Sequence, residues 1–415
     1  MKNEPVLTLG IIGGGASGLI AAVFAAREAD RLRKRVRITV YDANPRVGKK
    51  ILVTGNGRCN FSNENISDIN FHGEGRLAYS IYERFDNEDT VEVFSSHGLF
   101  SKADAAGRIY PMSSQATAVL YALRYELARI GVEEKTETRI TEIKKQGKGY
   151  LLNGQIYADR CIIATGGKAA PVQGSDGSGL KLLEACGVKI TPLVPALVPL
   201  VCDNFPKGLK GIRAQGRISL KCSGKTIAED TGEIQYTDYG LSGIPSMQVS
   251  RFAADRLLVR KEDVYAYVDS CPYFSADELK EKLGVLIKNR PSLPGEMLLA
   301  GIMPKKLGAV LLSDCSVNPA KEIGKIHPAV IDKIVAAVKN KKYKVSSVKG
   351  FADAQVTAGG IDGTEINADD LSLKRLDGVF VCGEIVNVDG DCGGYNLQWA
   401  WSSGAVAGKA AVREN

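Results

Sequence analysis

The feature that most limits how this chain can fold is a glycine cluster directly after a short apolar run. The run spans 7–12, and Gly13, Gly15 and Gly18 follow with the spacing G-x-G-x-x-G. In this spacing the first glycine permits a tight turn, the second lets backbone approach a pyrophosphate, and the third lets a helix pack closely on a strand. A helix beginning near Ala16 would present free N–H groups and its positive dipole end to that anion. The cluster predicts a phosphate-binding turn between a strand and a helix.

An acidic residue extends the pattern. A second apolar run (36–41) ends at Asp42, which lies about twenty residues beyond Gly18, the separation typical of this fingerprint. A carboxylate at this place reaches the ribose of a bound adenosine. The order strand, turn, helix, strand also starts a parallel sheet. We therefore predict a dinucleotide site. The alternative for Asp42 is that its carboxylate only caps the turn that follows.

The next segment indicates which dinucleotide is bound. Residues 44–60 are rich in glycine and in cations, with Lys50 and Arg58 among them and Cys59 and Asn60 at the end. Such a segment can fold back over a diphosphate, whereas a nicotinamide-binding domain has no need of a cover. The segment therefore favours FAD. The alternative is a solvated basic loop.

Two further glycine clusters lie far along the chain. Thr165 and Gly166 end an apolar run, as though backbone must pass close to a flat or bulky group. Gly383 and Gly394 precede a turn and a helix, where N–H groups could meet a flavin carbonyl or the ribityl chain. These clusters are expected to join the first one around a single cofactor.

Length and cysteine content bound the remaining possibilities. A chain of 415 residues exceeds the size of most single hydrophobic cores, so two or three domains are expected. The nine cysteines are scattered, without a C-x-x-C pair or a Cys/His cluster. They predict reduced thiols in a cytoplasmic protein and no metal site. No apolar stretch approaches the length of a membrane span, so we expect no membrane partner.

The net charge of +7 would fit an anionic partner. Its densest parts are 31–37, which we interpret as a helix terminus whose cations complement the dipole, and 339–344, which we interpret as an exposed helix end. These basic runs lack a repeated pattern of interleaved aromatic residues, so a small-molecule substrate is expected rather than nucleic acid. The sequence carries no signal for an oligomeric state.

Hydrophobic periodicity places the main elements. Helices are predicted near 16–27, 115–130 and 178–186, with alternating segments that form a meander between 133 and 156. Short alternating strands with glycine and proline turns follow, and several helices come after them. Glycine-rich sequence returns after Lys349. We infer a dinucleotide-binding domain interrupted by an insert that has a β part and a helical part.

The layout of these segments resembles the glutathione-reductase-like FAD fold, and longer motifs narrow the resemblance. At 48–60, 239–243, 357–360 and 389–404 the sequence is G-K-K-I-L-V-T-G-N-G-R-C-N, Y-G-L-S-G, T-A-G-G and D-G-D-C-G-G-Y-N-L-Q-W-A-W-S-S-G. These motifs are similar to the bacterial flavoprotein family described as BaiN-like or aminoacetone-oxidase-like. The resemblance spans nearly the whole chain.

This resemblance implies an α/β fold class: a Rossmann-like FAD-binding domain of the glutathione-reductase type with an inserted β domain and a helical subdomain. The expected bounds are 1–191 with 350–415 for the split FAD-binding domain, 192–273 with 343–349 for the β domain, and 274–342 for the helical subdomain. Together with the glycine clusters, the resemblance gives these expected cofactor contacts: Gly13, Gly15, Ala16, Ser17, Gly18, Asp42, Lys50, Arg58, Cys59, Asn60, Ile140, Thr165, Gly166, Gly383, Glu384, Asp391, Gly394, Asn396 and Leu397.

The resemblance also implies an FAD-dependent oxidoreductase that acts on a small organic molecule, with NADH or NADPH as a transient reductant. One type of member is linked to reduction of the conjugated double bonds of 3-oxo bile-acid intermediates. No second G-x-G-x-x-G follows a later strand, so we expect no dedicated nicotinamide domain. The catalytic residues are not identified by the sequence. Tyr110, Tyr239 and Tyr395 are candidates for a proton donor by residue type alone.

Two other functions stay open at this point. A flavin-dependent RNA-modifying enzyme is compatible with the net charge of +7, and it would retain RNA in a salt-dependent way. A flavin-binding protein without turnover would hold flavin that NADH and NADPH do not reduce.

Overall fold

The computed structural model describes residues 6–413. The chain divides into two compact units. The first unit contains the residues up to Leu193 and those from Gln355 onward, and the second unit is Val194–Ala354. An insert in the first unit agrees with the split predicted from the sequence, while the three-domain bounds stay a prediction.

The strands of the described chain are β1 (Leu7–Ile12), β2 (Val36–Tyr41), β3 (Ser62–Asn63), β4 (Phe71–Gly73), β5 (Ser101–Ala103), β6 (Arg108–Pro111), β7 (Glu133–Lys135), β8 (Ile143–Gln146), β9 (Gly149–Leu152), β10 (Ile156–Ala158), β11 (Arg160–Ile163), β12 (Val194–Ala196), β13 (Leu200–Cys202), β14 (Arg213–Cys222), β15 (Lys225–Tyr236), β16 (Gly240–Ser242), β17 (Val264–Asp269), β18 (Lys341–Val348), β19 (Val356–Ala358), β20 (Val379–Val381) and β21 (Val388–Gly390). The α-helices of the same residues are α1 (Ala16–Arg31), α2 (Gly75–Tyr82), α3 (Asn87–Ser96), α4 (Ala116–Arg129), α5 (Ser178–Ala185), α6 (Ile244–Ala254), α7 (Ala276–Asn289), α8 (Lys305–Asp314), α9 (Pro328–Lys339) and α10 (Tyr395–Ala410).

The first unit is built on a parallel sheet with the strand order β20-β11-β1-β2-β7. Its central strand β1 is buried over its last four residues, as expected for a parallel strand covered on both faces. The first two strands and the strand near 160 lie where the sequence predicts them. The segment at 133–135 does not join the predicted meander, because it pairs in parallel with β2 at the edge of this sheet. The meander itself begins at β8 and continues through β9 and β10.

Helices α1 and α10 pack tightly against each other, because α10 carries glycines on the face turned to α1. A Cβ atom at Gly404 would lie 2.5 Å from the backbone oxygen of Ser17. A Cβ atom at Gly408 would lie 2.3 Å from the backbone oxygen of Ala21. Only glycine allows this approach of the two backbones, so α10 is fixed against the first helix of the unit.

The second unit contains a closed barrel with the strand order β13-β16-β15-β14-β17-β18. Closure removes the unpaired strand edges that would otherwise invite association. Helix α6 packs against several barrel strands, and helices α7, α8 and α9 lie in the chain between β17 and β18. The β part and the helical part inferred from the sequence are therefore both present in this unit.

Both basic runs are predicted to be helix ends, but only the first run has that structure. The first run follows the prediction, because α1 ends at Arg31 and the chain enters β2. In the second run only Lys339 ends a helix; residues 341–344 belong to the barrel strand β18, which pairs with β17. The interpretation of 339–344 as a helix end is therefore wrong beyond Asn340, because pairing with β17 extends the backbone there.

Among the helices of residues 6–413, none combines the length and the apolar character needed to span a bilayer.

Candidate functional site

The predicted motifs meet at one edge of the parallel sheet. In the strand register Ile12 pairs with both Tyr41 and Ile163, and Ile163 pairs with Val381. These four residues are the last of their strands, so the chain segments that follow them emerge side by side. The carboxyl edge of an open parallel sheet is where such folds bind ligands.

The glycine turn after β1 has the division of tasks that its spacing predicts. Gly13 has φ +107°, and a Cβ atom there would lie 2.4 Å from the oxygen of Ala164. A Cβ atom at Gly18 would lie 1.9 Å from the oxygen of Gly13. At Gly15 a Cβ atom would meet nothing within 4 Å. Two of the glycines are therefore needed by the protein itself, while the middle one faces open space.

Asp42 follows β2, and both oxygens of its carboxylate accept hydrogen bonds that stabilise the neighbouring turns. Its Oδ2 accepts a hydrogen bond of 2.9 Å from the backbone N–H of Gly14. Its Oδ1 accepts from the backbone and the side-chain amide of Asn44, at 2.7 and 2.9 Å. The turn-capping role considered from the sequence therefore exists. A carboxylate oxygen has more than one lone pair, so these bonds leave capacity for a ribose hydroxyl.

The helices α1 and α10 begin without a capping side chain. Their N-cap residues are Gly15 and Gly394, and neither helix has an acidic residue in its first turn. A helix start normally has its N–H groups satisfied by a capping oxygen or by water. Two long helices with open N-termini beside the sheet edge are suited to negatively charged or carbonyl-bearing groups of a ligand.

A network centred on Glu384 joins four motif segments. Its Oε2 lies 2.8 Å from Nζ of Lys50, and its Oε1 accepts a 2.9 Å hydrogen bond from the N–H of Thr357. The hydroxyl of Thr357 accepts from the N–H groups of Lys168 and Ala169, at 2.7 and 2.9 Å. The cationic segment, the strand end near 165, the T-A-G-G motif and the segment after β20 are therefore tied together in the first unit.

A second network surrounds the start of α10. The carboxylate of Asp391 accepts from Nε2 of His72 at 2.8 Å and from the amide of Asn70 at 3.1 Å. The amide of Asn396 bonds reciprocally with the backbone of Gly390, with both distances 2.8 Å. These contacts fix the two predicted residues, Asp391 and Asn396, at the entrance of the helix.

Two buried polar atoms at this edge have no hydrogen-bond partner among the residues the structure describes: Oδ1 of Asn60 and Oγ1 of Thr165. Buried polar atoms are normally satisfied, so each such atom calls for an explanation. Both belong to the predicted contact set. Together with the open space at Gly15 and the two uncapped helix starts, they fit a polar cofactor with hydroxyl and N–H donors.

The other predicted contacts lie in segments that follow or border these strands. Ala16, Ser17, Gly166, Gly383, Gly394 and Leu397 lie in the turns or first helical turns just described, and Ser17 Oγ lies 3.4 Å from the oxygen of Cys382. Arg58 is exposed, with its guanidinium 5.0 Å from the ring centre of Tyr110. Ile140 is 6% exposed and belongs to the hydrophobic core of the unit.

The family of this chain follows from comparison with known proteins. A family model for the HI0933-like protein Rossmann domain matches residues 7–410. The chain belongs to the HI0933-like Rossmann family. The predicted family and the predicted fold class are confirmed. The predicted enzyme class, an FAD-dependent oxidoreductase, is confirmed as well.

Relatives with assigned activities support this membership in the HI0933-like family. The chain is 39% identical over 409 residues to the 3-dehydro-bile acid delta(4,6)-reductase of Clostridium scindens, which covers 97% of this chain and 98% of that protein. It is 25% identical to the ribosomal RNA dihydrouridine synthase of Haemophilus influenzae, over 97% of this chain and 98% of that protein. The Escherichia coli protein of the same name is 25% identical over 95% of each chain.

Solved structures similar to this HI0933-like chain are more distant. A flavocytochrome c3 fumarate reductase in an open conformation has a TM-score of 0.48 at 15% identity, covering 99% of this chain and 79% of its own. The 3-ketosteroid delta1-dehydrogenase from Sterolibacterium denitrificans has a TM-score of 0.44 at 12% identity, covering 99% of this chain and all of its own.

Cys59 and Cys392 belong to motifs that meet at this edge, and both are free thiols. Cys59 is fully buried, and burial raises the pKa of its thiol to about 12, against a smaller opposing effect of a hydrogen bond with Thr54. A thiol that stays protonated at neutral pH is a poor nucleophile. Cys59 therefore has a packing role at a position with φ +56°.

We predict that Cys59→Ser and Cys392→Ser each keep their flavin and most of their activity. The reason is that neither thiol takes part in electron transfer. The check is to count reactive thiols in the denatured protein before and after reduction with NADPH. Two additional thiols after reduction, lost in either serine variant together with turnover, would contradict this prediction.

The sequence alone assigns no role to three residues of these networks and of α10: Thr357, His72 and Gln398. Gln398 is fully buried, and its side-chain amide reaches the oxygen of Asp86 at 3.0 Å and the hydroxyl of Thr90 at 2.9 Å. A polar residue directly before two tryptophans in an apolar helix was the signal available for it.

Proposed function

We propose that the carboxyl edge of the parallel sheet holds FAD. The open space at Gly15 and the N-terminus of α1 support a place for the pyrophosphate, and Asp42 supports a place for the adenosine ribose. The N-terminus of α10 and the segment at Gly383 support places for the ribityl chain and the flavin ring. The proposed contacts are Gly13, Gly15, Ala16, Ser17, Gly18, Asp42, Lys50, Arg58, Cys59, Asn60, Ile140, Thr165, Gly166, Gly383, Glu384, Asp391, Gly394, Asn396 and Leu397.

The proposed reaction is saturation of a carbon–carbon double bond conjugated to a carbonyl group in a small organic molecule, such as a 3-oxo bile-acid intermediate. The observation that carries it is the 39% identity over nearly the full length to a 3-dehydro-bile acid delta(4,6)-reductase. FAD, when bound, supplies the hydride chemistry that amino-acid side chains lack. The residues of this chain bind and orient the cofactor, and NADH or NADPH is the proposed source of electrons.

The number of hydrogens that the product gains provides a test of the proposed substrate. Each double bond that is saturated takes up one hydride and one proton, so the product gains two hydrogens. Anaerobic incubation with NADPH and a 3-oxo-4,6-diene steroid is expected to give products with added hydrogen pairs, read by mass spectrometry. A 3-oxo steroid without ring double bonds is the control and is expected to stay unchanged. No steroid product despite a fully reducible flavin would contradict this substrate class.

A second candidate is reduction of uridine in RNA. It is favoured by the two ribosomal RNA dihydrouridine synthases at 25% identity that cover the chain almost completely. The double bond of uracil is also conjugated to a carbonyl, so both candidates belong to the same reaction class. Incubation of ribosomal RNA with the reduced protein, followed by nucleoside mass spectrometry, separates them. Dihydrouridine without any steroid product would favour the RNA candidate.

We predict that Asp42→Ala weakens FAD binding by about ten to a hundred times. The change removes a charged acceptor, which is worth roughly 1.5–3 kcal/mol. FMN lacks the adenosine half, so its affinity is expected to be low in the parent chain and unaffected by the substitution. Titration of apoprotein with FAD and FMN, followed by flavin fluorescence, provides the measurement. Equal affinities for the two flavins in the parent chain would contradict the assignment of Asp42.

A further inference from the structure

One outer face of the barrel carries two tyrosines on its central strand. Along β17 the buried Val264, Ala266 and Val268 alternate with Tyr265 and Tyr267. Successive side chains of a strand point to opposite faces, so both tyrosines lie on the outside of the barrel. Strand β14 pairs with one edge of β17, and β18 pairs with the other.

The neighbouring strands place lysines on both sides of these rings. Lys221 of β14 is opposite Tyr265, and Lys342 of β18 is opposite Tyr267. Nζ of Lys221 lies 4.5 Å from the ring centre of Tyr267, and Nζ of Lys342 lies 3.9 Å from that of Tyr265. We call these four residues the tyrosine face.

The charges around the tyrosine face leave its centre positive. At one end Asp269 is paired with Lys339 at 2.7 Å and approaches Arg217 at 3.9 Å. At the other end Lys344 is paired with Asp263 at 3.2 Å, and Glu229 on β15 borders the face through Ser219. Within residues 6–413, Lys221 and Lys342 have no carboxylate within ion-pair distance.

An open cavity of about 430 Å³ adjoins the face and is lined by Arg217, Tyr267, Tyr273, Phe274 and Lys339, among others. Tyr273 is 73% exposed, so another aromatic ring is accessible at this edge. The lining combines aromatic rings with cations, and it also contains the Asp269 carboxylate that pairs with Lys339. The combination suits the base and phosphate of a nucleotide.

We propose that the tyrosine face binds single-stranded RNA, with bases on the rings of Tyr265 and Tyr267 and backbone phosphates on Lys221 and Lys342. In single-stranded RNA, bases and phosphates alternate, as do the rings and cations of this face. Stacking of a base on an aromatic ring is worth about twice an exposed cation–π contact or more. A base can therefore displace the lysines from the rings, and the released ammonium groups then meet the phosphates. The proposal goes beyond reduction of a small organic molecule and deepens the RNA candidate, for which the tyrosine face would be a substrate-binding surface.

This arrangement also explains why the sequence alone predicts a small-molecule substrate rather than nucleic acid. The basic run at 339–344 contains a single aromatic residue, Tyr343, which is buried inside the barrel. The aromatic partners come from β17, more than seventy positions earlier in the chain, and only the pairing of β17 with β18 brings them beside the lysines.

The test is fluorescence anisotropy of the full-length protein with a labelled single-stranded RNA of about 12 nucleotides, a length within the usual range of such sites. In Lys221→Glu/Lys342→Glu we expect binding to weaken at least tenfold. The dependence of log K on log salt should become shallower by about 1.4, because each lost phosphate contact removes about 0.7. The matched control, Lys306→Glu/Lys333→Glu, makes the same charge change at exposed positions of α8 and α9 and should stay within about twofold of the parent chain.

The rings are tested separately from the charges. Tyr267→Phe should keep RNA affinity, whereas Tyr267→Ser should lower it by about 5- to 150-fold, the range for loss of one stacked base. Duplex RNA of the same length should bind more weakly, because its bases are not available. Any one of four results would overturn the proposal. Two concern the variants: equal loss of RNA affinity in the lysine pair and in its control, or full RNA affinity in Tyr267→Ser. Two concern the ligand: duplex RNA bound as tightly as single-stranded RNA, or phosphatidylserine vesicles bound in preference to RNA. Binding is measured without turnover, so a failure here leaves the reductase proposal untouched, and the reverse also holds.

Discussion

Gly15→Ala is expected to weaken FAD binding by at least about 100-fold, or about 2.7 kcal/mol, while the apoprotein stays folded. A Cβ atom at this position meets nothing within 4 Å, and Gly15 has an extended φ of −82° that alanine adopts freely. Loss of the favoured glycine at a helix N-cap costs the protein about 1 kcal/mol at most. The added methyl group would occupy the proposed pyrophosphate place and hold it away from several N–H groups. Each charged hydrogen bond lost there is worth about 1.5–3 kcal/mol.

Gly18→Ala is the matched control, because the same methyl group is added three residues later. Its Cβ atom would lie 1.9 Å from the oxygen of Gly13, so the helix start must shift and the apoprotein itself should lose about 1–3 kcal/mol. Urea unfolding of both apoproteins and FAD titration of both variants separate the two effects. If Gly15→Ala bound FAD as tightly as the parent chain, the pyrophosphate assignment would be wrong.

Gln398→Leu is expected to destabilise the first unit by about 3 kcal/mol or more. The side chain is fully buried, and its oxygen accepts a 2.6 Å hydrogen bond from Ser62. Its nitrogen faces acceptors on Asp86, Thr90 and Ser402 at 2.9 to 3.0 Å. A leucine of similar size would leave the buried Ser62 hydroxyl without its acceptor and would remove the amide's bonds to Asp86, Thr90 and Ser402; a buried group left unsatisfied costs about 1–3 kcal/mol.

The measurement for Gln398→Leu is urea unfolding followed by tryptophan fluorescence. The chain has two tryptophans, Trp399 and Trp401, and both follow Gln398 directly on α10. Their emission therefore reports on the affected region. Gln155→Leu makes the same chemical change at an exposed position and should alter the unfolding free energy by no more than about 0.5 kcal/mol. Similar stabilities for the two variants would show that the buried amide network contributes little.

The glycine turn and the strands beside it could be predicted from the sequence because their signals are local. Gly13, Gly15 and Gly18 have a fixed spacing, and the apolar runs before Gly13 and Asp42 have the length of buried strands. Each of these signals is formed by residues that lie close together in the sequence, within a single turn or a single strand. The structure places all of them at the carboxyl edge of the parallel sheet.

The parts that the sequence did not predict depend on contacts between distant residues. Lys50 and Glu384 form an ion pair across 334 positions, and His72 meets Asp391 across 319 positions. No periodicity or spacing encodes such a pair, because it exists only after the strands have assembled. The edge strand at 133–135 was misplaced for the same reason. Its three residues contain no apolar alternation, and only pairing with β2 defines it as part of the parallel sheet.

Binding of FAD at the edge where the glycine clusters meet, and acceptance of electrons there, can be tested together. The visible spectrum of the purified protein is recorded after reconstitution with FAD, followed by anaerobic titration with NADH and then NADPH. We expect one FAD for each chain and loss of the flavin absorbance with one of the two nucleotides. A chain that takes up no FAD, or that holds FMN equally well, would contradict this expectation.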